Sequence, residues 1–225
     1  MKFSEFDLND TLLEAIYYAN FDEATEIQAK AIPLILEGKD LIGCAQTGTG
    51  KTAAFVLPML NQLSEIDSKG VKALILCPTR ELAIQIDRQV QGLAYFTNSV
   101  CRAVYGGGDG VAWDQEREAL EGAADIIIAT PGRLISHLER GYVNFKYVKN
   151  LILDEADRML DIGFFDDIIK IIGSLPKSRQ SLMFSATMAP KIRKLANEIL
   201  KHPHEVSVAI SKPAEGVLQE VFMAY

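Results

Sequence analysis

Several short runs in this chain have no polar face. Lys72-Ala73-Leu74-Ile75-Leu76-Cys77 is apolar after its first residue, and so are Ile126-Ile127-Ile128-Ala129 and Leu151-Ile152-Leu153. Successive side chains of a strand point to opposite faces, so a run that is apolar at every position needs cover on both sides. Between the runs lie segments with apolar residues at helical spacing. Residues 79–96, for example, place Leu82, Ala83, Ile86, Val90, Leu93 and Ala94 on one side. Strand–helix alternation of this kind predicts an α/β chain with one parallel sheet, helices on both faces and right-handed crossovers. In such a sheet ligands gather at the carboxyl ends of the strands, so the residues just after each strand are the informative ones.

The spacing predicts strands over 41–45, 72–77, 100–105, 125–129, 150–154, 181–184 and 205–209. It predicts helices over 8–20, 25–36, 53–63, 79–96, 114–120, 131–138, 164–172 and 189–200. Asn9 or Asp10 can cap the first helix, Thr25 the second, and Gly38 can end the second. At 225 residues the chain is one large domain or two small ones. The expected division is helices over 1–40 packed on a core over 41–209, with residues 210–225 beginning a linker.

After the first strand comes Ala45-Gln46-Thr47-Gly48-Thr49-Gly50-Lys51-Thr52. A glycine-rich turn between strand and helix lets backbone N–H groups curl around a phosphate, and the helix N-terminus adds its dipole. Lys51 can reach the β- and γ-phosphates of a nucleotide, and the Thr52 hydroxyl can ligate Mg²⁺. The pattern G-x-x-x-x-G-K-[ST] is intact except at its first position, where Ala45 stands for glycine. That departure is mild if the residue does not need a positive φ.

The fifth strand delivers Asp154-Glu155-Ala156-Asp157 to the same edge. In a phosphate-loop enzyme the first carboxylate holds Mg²⁺, and the next orients or deprotonates the attacking water. Acids also favour helix starts, but beside Lys51 the catalytic reading prevails. The sixth strand is followed by Ser185-Ala186-Thr187, a helix cap whose hydroxyls could also relay the nucleotide state through Asp157. Three further turns carry phosphate-type groups: Pro78-Thr79-Arg80 after the second strand, Gly106-Gly107-Gly108 after the third, and Thr130-Pro131-Gly132-Arg133 after the fourth. Each is equally a capped helix, a tight turn or a proline in a first helical turn. Together on one edge, such groups suit a nucleic-acid backbone held without base readout.

Composition narrows the field. Apolar residues make up 48% and charged residues 24%, as in an ordinary soluble globular protein. No apolar run approaches the roughly 18 residues of a membrane helix, and no secretion signal opens the chain. Cys44, Cys77 and Cys101 are odd in number and far apart, so they are expected as buried reduced thiols of a cytoplasmic protein. A net charge of −7 argues against a broad basic surface but leaves room for a local groove.

Six motifs in this order resemble those of the DEAD-box RNA helicases, and the resemblance runs from about residue 3 to the end of the chain. It implies a RecA-like domain of the phosphate-loop class that couples ATP hydrolysis, with Mg²⁺, to RNA binding. In that resemblance Lys51, Asp154 and Glu155 are catalytic, Thr52 and Asp154 hold the metal, and Asp157, Ser185 and Thr187 couple the two activities. Pro78, Thr79, Arg80, Gly106, Gly107, Thr130, Gly132 and Arg133 face RNA. The family's adenine-recognition segment is similar to residues 20–28. Gln28 can pair with the adenine edge. Phe3 and Phe21 are aromatic candidates beside the base, with core packing as the alternative for each. Asn20, Ala24 and Glu26 depart from the family's Gly and prolines there.

Nothing in the chain resembles the family's second RecA-like domain, which brings arginines to the γ-phosphate and half of the RNA groove. The chain is therefore expected to be an excised first domain. Three functions are open: the ATP-binding half of an enzyme that locally separates RNA duplexes, a nucleotide-gated RNA clamp or scaffold, or a DNA-directed relative.

Overall fold

The computed structural model describes residues 1–66, 68–107 and 110–208. Seven strands form one sheet: β1 (Leu41–Cys44), β2 (Ala73–Leu76), β3 (Cys101–Val104), β4 (Ile126–Ala129), β5 (Asn150–Leu153), β6 (Gln180–Ser185) and β7 (His204–Ser207). All six pairings are parallel. The order across the sheet is β3-β4-β2-β5-β6-β1-β7. Ala209, the expected end of the last strand, and residues 210–225, the expected linker, lie outside the described residues.

The doubly apolar strands have the predicted cause. In β2 and the residue after it, Ala73, Ile75 and Cys77 join one hydrophobic cluster, while Leu74 and Leu76 join another. β4 divides the same way, with Ile126 and Ile128 to one side and Ile127 and Ala129 to the other. Four helices cover the first face: α1 (Asp10–Tyr18), α2 (Glu26–Leu36), α3 (Lys51–Leu63) and α4 (Arg80–Leu93). Phe3, Leu12 and Ile27, from the first forty residues, sit in the same cluster as Phe55 and Leu57 of α3. After α5 (Gly110–Glu118) come α6 (Pro131–Leu138), α7 (Ala156–Ile162), α8 (Phe165–Gly173) and α9 (Pro190–Ile199), and these four cover the second face.

Local signals set several boundaries. Asn9 Oδ1 accepts from the Leu12 N–H at 2.9 Å and caps α1. Thr25 caps α2, its own N–H bonded to Gln28 Oε1 at 2.9 Å. Gly38, at φ +75°, turns the chain out of α2. Two expectations need correction. Residues 156–162 form a helix that periodicity does not predict, because it has only seven residues and opens on a left-handed residue, Glu155. Of the three cysteines only Cys77 is buried; Cys44 and Cys101 are half-buried, and all three are free.

At Gly43, in β1, an added Cβ would lie 2.5 Å from the Phe184 ring on the neighbouring strand. Phe184 is fully buried and packs on Phe55 with centroids 5.3 Å apart, so the ring cannot give way. We therefore expect Gly43→Ala to destabilise the chain by about 1–3 kcal/mol. A denaturant midpoint measures it, and an unchanged midpoint would contradict this packing.

Candidate functional site

Strand order divides the turns of the functional edge into two groups. The turns after β5, β6 and β1, which are neighbours in the sheet, hold Asp154-Glu155, Ser185-Ala186-Thr187 and the phosphate-loop sequence. The turns after β3, β4 and β2, also neighbours, hold Gly106-Gly107, Thr130-Pro131-Gly132-Arg133 and Pro78-Thr79-Arg80.

In the first group the chain leaves β1 through Ala45, which is not among the residues with positive φ. The one departure from the loop pattern therefore needs no conformation that alanine resists. Gly48 and Gly50 do need one, at φ +84° and +89°. Gly50 caps α3, and a Cβ on it would stand 2.5 Å from Gln28 Nε2. Thr49 Oγ1 donates to the Gln46 carbonyl at 2.8 Å, which tightens the turn, while Thr47 is exposed and Thr52 half-buried. Lys51, buried at 6% exposure, donates from Nζ to the Ala45 carbonyl at 2.7 Å. The Ala45 N–H in turn donates to the Ser185 carbonyl at 3.1 Å, which ties the loop to β6.

Asp154 is 3% exposed, and burial pushes its carboxyl up to about 6, with the Lys51 charge opposing and the Glu155 charge assisting. Glu155 holds φ +52°, a left-handed conformation that a residue with a Cβ adopts only under strain. Its carboxylate is 17% exposed, with Arg158 Nη1 3.4 Å away. A cavity of about 300 Å³ opens between the loop, Lys51, Thr52, Asp154 and Glu155. Its remaining wall is Leu82, Gln85 and Gln89 of α4. Sequence reading did not single out the two glutamines; the available signal is that they follow Leu82 at helical spacing.

Asp157 receives three hydrogen bonds on Oδ2, from the Ala186 N–H, the Thr187 N–H and Thr187 Oγ1, at 3.0–3.2 Å. Thr187 is thus joined to Asp157. The Ser185 hydroxyl is buried without a hydrogen-bond partner among the described residues. Around the expected adenine segment, both amide atoms of Gln28 are engaged: Oε1 accepts from Thr25 and Nε2 donates to the Gly50 carbonyl at 3.0 Å. Phe3 is 4% exposed and packed on Phe6 and Phe21, so its ring sits in the core rather than as an open stacking platform. Phe21 is half-buried and lines a larger cleft of about 500 Å³ with Tyr18, Tyr95 and Phe96; Gln89 borders both cavities.

In the second group Pro78 is buried and Thr79 caps α4, its Oγ1 accepting from the Leu82 N–H at 3.3 Å. Arg80, Gly106, Gly107 and Gly132 are exposed, and Thr130 is half-buried. Arg133 is not the open cation its turn suggests. Nε donates to Glu116 Oε2 at 2.7 Å, the side chain is 16% exposed, and the guanidinium lies 4.2 Å from the Trp113 ring centroid. Glu116 also meets His137 Nε2 at 2.9 Å and accepts from the Tyr105 N–H at 3.0 Å. Burial alone would raise the Glu116 carboxyl; the hydrogen bonds from His137, Arg133 and Tyr105 outweigh it and hold the group below the usual carboxylate range. The His137 ring is fully buried, stacks on Trp113 at 3.9 Å and bonds the Tyr142 hydroxyl. Glu116 thus links the turn after β3 to the turn after β4, a link that sequence reading missed.

The chain is similar to known proteins in sequence and in fold. A family model described as DEAD/DEAH box helicase matches residues 25–195. The chain is 43% identical over 222 residues to the ATP-dependent RNA helicase CshA of Listeria monocytogenes, covering 99% of this chain and 42% of that protein. It is 38% identical over 221 residues to the DEAD-box ATP-dependent RNA helicase CshA of Bacillus subtilis, covering 98% of this chain and 44% of that protein. The chain thus spans less than half the length of these relatives. A crystal structure of a DEAD box protein from the hyperthermophile Methanococcus jannaschii superposes with a TM-score of 0.85 at 39% identity, covering 92% of this chain and 56% of that one. The parallel sheet flanked by helices is the RecA-like fold of those proteins.

The raised carboxyl of Asp154 sets a pH dependence. Its folded value, about 6, lies above the ordinary 3.8, so its contribution to stability is fully present below about pH 4. That contribution is lost as the pH rises through 6. We expect Asp154→Asn to stabilise the free chain at pH 7.5, by on the order of 2 kcal/mol relative to its effect at pH 4. Denaturant melts at the two pH values test this, and an equal effect at both would remove the desolvated carboxylate from the account.

Proposed function

The chain belongs to the DEAD/DEAH box helicase family, and on that premise we propose that it is the nucleotide-binding half of an RNA-dependent ATPase that separates RNA duplexes locally. The observation that carries the proposal is the single cavity bounded by Lys51, Thr52, Asp154 and Glu155, which come from turns a hundred residues apart. ATP would lie with its phosphates against residues 45–52, drawn by inward N–H groups, the α3 dipole and Lys51. Gln28, already bonded to the loop carbonyl of Gly50, supports placing the adenine on that side.

The residues also suit Mg²⁺. Asp154 is a desolvated carboxylate whose burial is only partly offset by Lys51, and Thr52 offers a hard hydroxyl oxygen beside it. Mg²⁺ takes few protein ligands and keeps most of its water, so this small oxygen set suffices. The bound ion would supply positive charge beside the transferring phosphate. Glu155, less buried than Asp154, would orient the attacking water and accept its proton. Asp157 and Thr187, with Ser185, would couple that site to RNA.

The RNA backbone would follow Pro78, Thr79, Arg80, Gly106, Gly107, Thr130, Gly132 and Arg133, on neighbouring turns. Arg133 would serve through the two guanidinium nitrogens left after Nε meets Glu116. A second RecA-like domain would supply the missing arginines and the other wall, with residues 1–40 packed on the core and 210–225 leading out of it. Three free thiols suit a reducing compartment, and we place the protein in the cytoplasm.

An ATP titration of the 225-residue chain, with Mg²⁺, tests the nucleotide site. Lys51→Ala should weaken binding by about 2–5 kcal/mol; parent-like affinity would overturn the assignment. In the full-length protein, Glu155→Gln should retain nucleotide binding while RNA-stimulated turnover falls by about 10²-fold or more. Binding and rate falling together would make Glu155 a structural or metal-holding residue instead.

A further inference from the structure

Beside the candidate RNA path, a cavity of about 300 Å³ lies between the N-terminus of α4 and the edge strand β3. Arg80, Arg102, Tyr105, Gln115 and Glu116 line it. Arg80 is held in place: its guanidinium carbon is 5.0 Å from the Tyr105 ring centroid, and its Nη1 lies where a Cβ on Gly107 would meet it at 2.9 Å. Arg102 stands exposed on β3. Neither arginine forms an ion pair with any of the described residues. The one carboxylate on the wall, Glu116, is already bonded to Arg133, His137 and the Tyr105 N–H. Two guanidinium groups with no ion-pair partner among the described residues therefore share one polar cavity, in a chain of net charge −7.

We propose that this cavity is an additional subsite for a phosphodiester of single-stranded RNA, with Arg102 as its distinctive contact. The inference rests on the RNA-backbone reading of the neighbouring turns. Continuity favours RNA over an acidic peptide: Arg80 faces both the cavity and the Gly106-Gly107 turn, so a strand lying on that turn brings an adjoining phosphate to Arg102. An arginine on an edge strand also deters unwanted strand pairing. That role touches aggregation, not RNA, and so separates from the proposal by measurement.

The experiment titrates a labelled oligouridylate with the 225-residue chain between about 50 and 200 mM salt. Arg102→Ala should weaken binding about threefold or more at low salt and lower the slope of log K against log salt by about 0.7, the value for one single-strand phosphate. Arg102→Lys should keep the parent slope, and Arg102→Glu should bind most weakly of all. A thermal midpoint for each variant verifies the fold. Parent-like affinity and slope in both Arg102→Ala and Arg102→Glu would overturn this subsite while leaving the RNA reading intact. An acidic peptide competing at the cavity while the RNA slope stays unchanged would overturn it in favour of a protein ligand. A parent chain that does not bind the oligonucleotide at any salt concentration would overturn a subsite built by this chain alone; the RNA reading, which places the other wall of the groove on a second domain, falls with it only if the full-length protein also fails to bind.

Discussion

A parallel strand can be followed by a parallel neighbour only if the chain returns along the full length of the sheet, and here helices make that return. Each of the first six strands therefore hands over, at the same edge, to the start of a helix. Helix starts present unpaired N–H groups and positive potential. The edge is predisposed to anions before any particular side chain is considered. The sequence then differentiates the turns: glycines and a lysine after β1, carboxylates after β5, arginines after β2 and β4. Helices on both faces make this arrangement stable, because strands with no polar face have no other place to be.

Within the nucleotide-type group, the polar atoms complement one another. Lys51 bonds the Ala45 carbonyl, Gln28 bonds the Gly50 carbonyl, and Asp157 gathers the donors of residues 186–187. The first two bonds tie the loop to its own lysine and to α2, and the third ties the start of α7 to the turn after β6. Asp154 is the exception. It is buried beside another carboxylate, and Lys51 offsets its desolvation only in part. A divalent cation would be most strongly attracted at that point.

Much of this was legible in the residues. The doubly apolar runs and the helical spacing between them led to the sheet and its cover, because burial on both faces leaves no ambiguity of pattern. Ala45 could replace glycine because its φ is ordinary, which depends on backbone and not on pattern. What escaped was long-range or conformational. Glu116 meets Arg133 and His137 across 17 and 21 positions, and nothing local in a charged helix announces those partners. Phe3 read equally as a stacking ring or a core residue; its contacts with Phe6 and Phe21 place it in the core. The grouping of β5, β6 and β1 apart from β3, β4 and β2 follows from strand order, which periodicity does not encode.

Glu155 begins α7 in a left-handed conformation, where glycine would be at ease and any residue with a Cβ is strained by about 1 kcal/mol or more. Folding alone would therefore select glycine at this position, and a carboxylate persists there against the chain's own conformational preference. The consequence is a trade-off between robustness and chemistry at a single position. A screen that rewards heat resistance alone would drift toward glycine at 155 and lose the acid that faces the cavity. Stabilising this scaffold while keeping that carboxylate therefore requires holding the residue fixed and finding the gain elsewhere.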